Sequence, residues 1–412
     1  MSELHNVDGV DGVAPPAPPK RGNAAGATHA HRARCLDYET VALVLQGGGA
    51  LGAYQAGVLE GLHEARIPLN WVAGISIGAL NTAIIAGNEP SMRVPRLRAF
   101  WETICKPGFT PALPVTFEQM LFAASDATRS MLTALQAASA ATQGQHGFFA
   151  PRVPMPLPWQ ANVPERVSWY DTTPLKATLE RFCDFGRINS GETRVSVGAV
   201  NVATGNFVYF DNTRTTLRAE HFIASGALPP GFAPVEIDGE FYWDGGVVSN
   251  TPLSEVLGAL PRRDTLAFQV DLWSARGPVP QTLENVGMRV KDIQYSSRTR
   301  LVTDMLQREQ RYRHLLRELL QRVPQAEREG DRLCKVAENL ACSKRYNVLQ
   351  LIYQQQKFER GDKDYQFGRT TMQSHWAAGL SDIRRTLGND TWLDLPTNQT
   401  GFVTHDIHRV GA

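Results

Sequence analysis

Two consecutive strand–turn–helix units constrain the fold more than any other feature of the sequence. The apolar run at residues 41–45 ends in three glycines, and residues 54–65 then place apolar side chains at helical spacing. Residues 71–75 predict a second strand, and residues 77–86 predict a helix of small residues. Strands that alternate with helices over such short distances form parallel sheets. The sequence therefore predicts an α/β fold.

Charge and cysteine usage exclude several other classes of protein. The 42 Lys and Arg residues nearly balance the 41 Asp and Glu residues, which gives a formal net charge of +1. Proteins that wrap nucleic acid normally carry a large basic excess, so no nucleic-acid partner is expected. The five cysteines are scattered, with no CxxC pair and no metal-ligand spacing. A disulfide-stapled fold and a zinc domain are both disfavoured. No cofactor is expected.

Location is predicted from signals that the sequence lacks. The N-terminus lacks the succession of a basic, an apolar and a small-residue segment that marks a secretory signal. No apolar run reaches the length of about 18 residues that predicts a transmembrane helix. A cytoplasmic location is the simplest prediction, and export by a route without such a signal stays open. An Arg-rich helical face within residues 281–322 would suit peripheral contact with a membrane, although interspersed acids favour a solvated face.

Changes in composition divide the chain into regions. Residues 1–36 are rich in Ala, Gly and Pro, and we predict disorder there because they cannot bury enough apolar surface. Residues 37–275 are predicted to form the main domain, which contains the motifs described below. Residues 276–400 are predicted to form a mainly helical extension, and residues 401–412 a tail.

Residues 107–164 form a long insertion within the main domain. The insertion is rich in proline and aromatic residues, and residues 117–136 within it predict one amphipathic helix. Long insertions in α/β enzymes often act as a lid or cap over the site. An ordinary helical excursion packed on the core is an equally good interpretation.

The first motif that carries chemistry is GGGALG at residues 47–52, between the first strand and the first helix. Glycines there let successive N–H groups point to one place beside a positive helix end, which makes an anion cradle. The same letters satisfy the dinucleotide fingerprint GxGxxG. That interpretation requires an acid at the end of the second strand, and none occurs between Trp71 and Asn88.

The second motif is GISIG, with Ser76 at its centre. It lies between a short strand and a helix, where a nucleophile elbow requires it, and its glycines remove Cβ atoms that would clash in so tight a turn. The alternative is a structural turn in which Ser76 only caps the helix.

A serine nucleophile needs a base, and the sequence offers two kinds. An α/β-hydrolase triad would require one of four late histidines, namely His314, His375, His405 and His408, none of which follows a strand or a glycine turn. The third motif, Asp244-Gly245-Gly246, lies at the exit of a predicted hairpin, where the glycines would let the carboxylate face inward. Taken alone, it would be an ordinary turn aspartate.

Together with ASGALPPGF at residues 224–232, these motifs resemble those of the patatin-like phospholipase family over about residues 40–275. The resemblance implies a three-layer sandwich with a mostly parallel central sheet flanked by helices. It implies a serine–aspartate dyad without histidine, with Ser76 as nucleophile and Asp244 as base, and no metal. It also implies an oxyanion hole made by main-chain amides of the glycine-rich loop: Gly48 and Gly49, with Gly47 and Ala50 as further candidates. The C-terminal extension is similar to one found in some bacterial members.

The resemblance implies a hydrolase of lipid acyl esters, of the phospholipase A or lysophospholipase type. This sequence departs from the family at Leu51, where members commonly carry Arg or Lys. Neutral acyl esters, such as diacylglycerol or a polyester, therefore stay open as substrates. A nucleotide-binding oxidoreductase and a non-catalytic lipid-binding module are the remaining alternatives.

Overall fold

A computed structural model describes residues 24–106, 115–356, 359 and 361–408 of the chain. Nine of its strands form one sheet with the order β11-β10-β9-β1-β2-β5-β8-β7, in which β6 pairs with β5, and β3 and β4 form a separate small sheet. The strands are β1 (Thr40–Leu45), β2 (Trp71–Gly74), β3 (Ala150–Pro151), β4 (Tyr170–Asp171), β5 (Arg194–Asn201), β6 (Phe207–Asp211), β7 (Val235–Ile237), β8 (Glu240–Asp244), β9 (Thr265–Asp271), β10 (Tyr346–Ile352) and β11 (Phe402–Asp406).

Helices surround this sheet. They are α1 (Ala24–Cys35), α2 (Ala53–Glu64), α3 (Ile77–Ala86), α4 (Arg93–Ile104), α5 (Val115–Ala124), α6 (Asp126–Gln143), α7 (Thr173–Phe182), α8 (Phe185–Ile188), α9 (Ala219–Ser225), α10 (Leu253–Gly258), α11 (Leu283–Arg322), α12 (Gln325–Gly330), α13 (Arg332–Leu340) and α14 (Arg369–Leu387). Within the described residues, none of these helices combines the length and the apolar character needed to cross a membrane.

The centre of the sheet is parallel, as predicted. Strand β1 pairs in parallel with β2 and β9, and the parallel pairing continues to β5 on one side and to β10 and β11 on the other. Every residue of β1 and β9 is buried, because helices cover both faces. Strands β6 and β8 pair with β5 in the antiparallel direction, and β7 extends the edge as a hairpin with β8.

Alternating side chains of β1 separate two apolar cores. Leu43 and Leu45 pack into the core that contains residues of α2, α3 and α14, whereas Ala42 and Val44 pack into the core that contains residues of α10 and α11. This alternation follows from the two-residue period of a strand. The predicted three-layer arrangement, with helices on both sides of a mostly parallel sheet, is confirmed.

The C-terminal region is largely helical, as predicted, and it also completes the sheet with β10 and β11. Strand β11 falls within the predicted tail, of which residues 409–412 lie outside the described residues. Helix α14 packs directly on α2: a Cβ on Gly57 would lie 1.9 Å from the carbonyl oxygen of Trp376, and one on Gly379 would lie 2.0 Å from that of Tyr54. The extension is therefore built into the same layers as the main domain.

The N-terminal prediction of disorder is corrected for residues 24–35, which form α1; residues 1–23 lie outside the described residues. Cys35 is 1% exposed and belongs to the core that contains residues of α2, α3 and α14. His31 Nε2 lies 3.3 Å from Asp390 Oδ1. Contacts with residues more than 350 positions away along the chain stabilise this helix. Local composition cannot reveal such contacts.

The insertion contains two helices where one was predicted. Helix α5 ends at Ala124 and α6 begins at Asp126, because Ser125 adopts an extended conformation and its side chain accepts a hydrogen bond from Thr128 N at 3.1 Å. A serine N-cap of this kind starts a new helix. After α6, the chain returns to the core through the buried residues Phe148 and Phe149.

Candidate active site

The strand register brings the predicted nucleophile and base to the same level of the sheet. Gly74 of β2 pairs with Val197 of β5, so Ser76 lies level with Ala199, two residues farther along β5. Ala199 pairs with Asp244 at the end of β8. Ser76 and Asp244 therefore flank β5 at one level, although 168 sequence positions separate them.

Ser76 adopts the backbone conformation of a tight elbow. Its φ is 56° and its ψ is −127°, a region that non-glycine residues seldom occupy. The flanking glycines are sterically necessary: a Cβ on Gly74 would lie 2.3 Å from the carbonyl oxygen of Gly78, and one on Gly78 would lie 2.4 Å from that of Leu45. Strain held in place by its surroundings is typical of functional turns.

Ser225 anchors this elbow, a role that sequence reasoning did not assign. The Ser76 N–H donates to the backbone oxygen of Ser225 at 3.1 Å and to its Oγ at 3.0 Å. The Ser225 hydroxyl in turn donates to the carbonyl oxygen of Gly198 on β5 at 2.6 Å. Ser225 belongs to the segment at residues 224–232 that supported the family resemblance, and this was the available signal.

The glycine-rich loop lies directly beside Ser76. A Cβ on Gly47 would come within 2.9 Å of Ser76 Cβ, and Gly49 has a φ of 56° that favours glycine. Gly47, Gly48 and Gly49 line a cavity with Ser76, whereas Ala50 is buried and is not among the lining residues. The Gly47 N–H donates to the backbone oxygen of Asn250 at 3.3 Å, so it is already engaged. The loop geometry thus favours Gly48 and Gly49 among the four predicted oxyanion donors.

Burial controls the protonation of Asp244. This side chain is 1% exposed, and desolvation raises its pKa to about 7. Hydrogen bonding with the Ser76 side chain and with the Gly246 N–H, which donates to Oδ1 at 2.7 Å, limits that rise. A carboxylate with a pKa near neutrality is well matched to accept a proton in general base catalysis.

An apolar cavity opens from this pair of residues. The space that it encloses, including its open mouth, is about 730 Å³. Aromatic side chains form much of its wall: Phe148, Phe149, Phe232, Trp273, Tyr295, Tyr365 and Phe367. Phe148 and Phe149 come from the predicted insertion, and such a wall fits an acyl chain.

The C-terminal region supplies part of the cavity wall, which the sequence did not indicate. Asp364 lies against the glycine-rich loop, since a Cβ on Gly49 would be 2.3 Å from its carbonyl oxygen. Its carboxylate is paired with Lys291, whose Nζ lies 2.9 Å from Oδ1. Leu51, where the family commonly has a cation, is fully buried.

The predicted alternatives to the aspartate base find little support. None of the four late histidines is among the residues that line the cavity. His375, for example, is completely buried, and its Nε2 lies 2.7 Å from Glu359 Oε1.

A dinucleotide site is also disfavoured, because β2 leads into Ser76 where that fold requires an acid. Among the described residues, no group of three or more His, Cys, Asp or Glu side chains could hold a metal ion.

Two family models match the chain. One, described as patatin-like phospholipase, matches residues 43–257, which is more than half of the chain. The other, described as patatin phospholipase, matches residues 293–399, within the C-terminal region.

The chain is also similar to curated proteins and to solved structures. Patatin-like phospholipase domain-containing protein 6 of Homo sapiens is 38% identical over 85 residues, and neuropathy target esterase sws of Drosophila persimilis is 36% identical over 85 residues. Each match covers 21% of this chain and only 6% of the relative. VipD from Legionella pneumophila has a TM-score of 0.37 and 15% identity, covering 85% of this chain and 67% of that one. The type III effector protein ExoU has a TM-score of 0.29 and 13% identity, covering 87% and 54%.

Proposed function

Because the chain belongs to the patatin-like phospholipase family, we propose that it hydrolyses acyl-ester bonds of lipids, with Ser76 as nucleophile and Asp244 as general base. The observation that carries this proposal is the strained Ser76 beside a buried carboxylate, at the end of an apolar cavity. A serine that served only to cap a helix would need neither the strain nor the carboxylate.

In the proposed first half-reaction, Ser76 Oγ attacks the acyl carbonyl carbon while Asp244 accepts the hydroxyl proton. The N–H groups of Gly48 and Gly49 stabilise the oxyanion, and each such donor contributes about 2.7–4 kcal/mol in comparable sites. The tetrahedral intermediate collapses, the ester C–O bond breaks, and the proton on Asp244 passes to the departing alcohol.

In the second half-reaction, Asp244 accepts a proton from water as the water attacks the acyl-serine. The second oxyanion uses the same amides, and its collapse breaks the bond to Ser76 Oγ. Oγ recovers the proton and the fatty acid leaves. An aspartate is a weak base for a serine hydroxyl, so burial that raises its pKa, together with the oxyanion donors, lowers the barrier.

We propose glycerophospholipids as the substrate class, with phospholipase A or lysophospholipase action. The aromatic cavity fits the acyl chain of such a lipid. Neutral esters such as diacylglycerol or a polyester are the second candidate, because Leu51 is buried and uncharged and Lys291 is already paired with Asp364. Rates on phosphatidylcholine vesicles and on dispersed diacylglycerol, measured side by side, distinguish the two.

Covalent labelling tests the nucleophile. We expect a fluorophosphonate probe to modify the wild-type protein at the peptide that contains Ser76, and the Ser76→Ala variant to be neither labelled nor active on lipid vesicles. Mass spectrometry of the digested protein locates the label. A wild-type protein that binds vesicles without labelling or hydrolysis would instead be a lipid-binding module.

The raised pKa of Asp244 predicts the pH dependence of the reaction. The base works only when ionised, so kcat/KM should fall about tenfold per pH unit below about 7 and level off above it. Initial rates on a soluble, non-ionisable ester between pH 5 and 9 give the profile, and circular dichroism at each pH confirms that the fold persists. A rate that stays constant down to pH 5.5 would contradict Asp244 as the base.

A further inference from the structure

Three hydrogen bonds hold the backbone of Gly47. Its carbonyl oxygen accepts one from Trp273 Nε1 at 2.8 Å and one from Asn250 Nδ2 at 3.0 Å. Its N–H donates to the backbone oxygen of Asn250 at 3.3 Å. Asn250 and Trp273 are both buried, so two donors occupy the two lone pairs of this carbonyl oxygen away from bulk water.

We call these hydrogen bonds of Gly47 with Asn250 and Trp273 the clamp. The clamp fixes the direction of the next N–H group along the chain. The carbonyl of Gly47 and the N–H of Gly48 belong to one peptide unit, and in a trans peptide they point in opposite directions. The carbonyl faces Asn250 and Trp273, so the Gly48 N–H faces away from them. In the part of the chain that the structure describes, no acceptor takes this N–H. Gly48 lines the same cavity as Ser76.

We propose that Asn250 and Trp273 are positioning residues that hold the Gly48 N–H toward the oxyanion; this inference rests on the proposed function. Glycine allows a peptide unit to rotate at little cost, so a loop of three glycines has no intrinsic preference for the productive orientation. If this peptide flipped, the Gly47 carbonyl oxygen would face the developing oxyanion and repel it.

The register of the sheet explains why Trp273 reaches this peptide. Leu45 at the end of β1 pairs with Val270 of β9, so Gly48 and Trp273 are each three residues beyond that pair. Gln46 Oε1 accepts hydrogen bonds from the backbone N–H of Leu272 at 2.6 Å and from that of Trp273 at 3.1 Å, which holds the two segments together. Trp273 lies beyond residues 43–257, so part of the clamp lies outside the main family match.

The test removes the indole donor and keeps the ring. Trp273→Phe loses the N–H but retains an aromatic contact with Tyr295, whose ring centroid lies 5.0 Å away. We expect kcat on a soluble ester to fall about tenfold to a hundredfold with KM changed less than about twofold, since only the oxyanion is affected. Asn250→Ala, a second variant in case the first fails to fold, should behave in the same way.

A matched control separates positioning from stability. Trp71 is buried and donates its indole N–H to Ser196 Oγ at 3.0 Å, at the opposite end of β2 from Ser76. Trp71→Phe therefore removes the same kind of hydrogen bond from the core, and we expect its kcat to equal that of the wild type. Thermal unfolding of all variants shows whether their stabilities are comparable.

Inhibition by a trifluoromethyl ketone gives a readout that a merely structural role would not change. The inhibitor forms an oxyanion adduct with the serine, so its inhibition constant should rise by the same factor as kcat falls in Trp273→Phe and stay constant in Trp71→Phe. A Trp273→Phe variant with wild-type kcat and wild-type inhibition would overturn the positioning role of the clamp and leave the proposed function standing. A wild-type protein with neither hydrolysis nor labelling at Ser76 would overturn the proposed function and the clamp with it.

Discussion

Asp244→Asn is expected to abolish ester hydrolysis while making the folded protein more stable at neutral and alkaline pH. The amide has no basic lone pair to accept the Ser76 proton, so kcat/KM should fall about a thousandfold or more. Stability changes in the other direction because the wild-type carboxyl is buried with its pKa raised to about 7. The folded wild type therefore holds the proton of this carboxyl more tightly than the unfolded chain does. As a result, the free energy of unfolding falls as the pH rises from about 4, the ordinary pKa of the group, through about 7.

The size of the stability gain follows from the same shift. A difference of about three pKa units corresponds to about 4 kcal/mol at full ionisation, which is the upper limit for what the asparagine recovers. Urea unfolding at pH 4 and pH 8 measures it: the two proteins should differ little at pH 4 and most at pH 8. Equal stabilities at pH 8 would show that the carboxyl is not desolvated as described.

Asp271→Asn is the matched control for this experiment. Asp271 is also buried, with its pKa raised by burial to about 7, but it is not among the residues that line the cavity. Its substitution should give a similar stability gain at pH 8 and leave most of the hydrolytic rate. An Asp244→Asn variant with full activity would exclude the serine–aspartate dyad.

Local sequence was sufficient to predict the strands β1 and β2 and the helix α3, which surround the proposed nucleophile. Apolar runs bounded by glycines predicted β1 and β2, and residues 77–86 were predicted as the helix that α3 forms. Strands buried on both faces and short helices between them leave a strong local signal, because both depend on neighbouring residues. Roles for Ser76 and Asp244 came from motif letters, and these roles remain proposals.

Interactions between distant residues were outside the reach of local sequence. Strands β10 and β11 join the sheet only because β9 offers them an edge, and Trp273 reaches Gly47 only because β9 lies beside β1. Helix α1 depends on contacts with residues near position 390. In each case the free energy that stabilises the element comes from contacts with residues far along the chain. Composition and periodicity report only on residues that are near neighbours in the sequence.

Gly78→Ala should reduce hydrolysis at least about a hundredfold and lower the thermal stability. The added Cβ would lie 2.4 Å from the Leu45 carbonyl oxygen and 3.0 Å from that of Gln46, and both are backbone atoms at the start of the glycine-rich loop. Either the elbow or the loop must then move, and a shift of about 1 Å in an active site costs about a hundredfold in rate. The substitution therefore tests whether Ser76 and the loop work as one rigid assembly.

Gly258→Ala provides the comparison, because Gly258 lies in α10 and its added Cβ would have no atom within 4 Å apart from its chain neighbours and the backbone of its own helix. Gly258 is the last residue of α10, where alanine is tolerated as well as glycine, so this variant should be fully active and about as stable as the wild type. Steady-state rates, fluorophosphonate labelling and thermal unfolding should be measured on both. If Gly78→Ala kept wild-type rates, the close contact between elbow and loop would not be required for catalysis. If it lost labelling and hydrolysis while still folding, the strained elbow would be needed to hold Ser76 beneath the loop amides, because a turn that merely connects β2 to α3 would tolerate the same displacement.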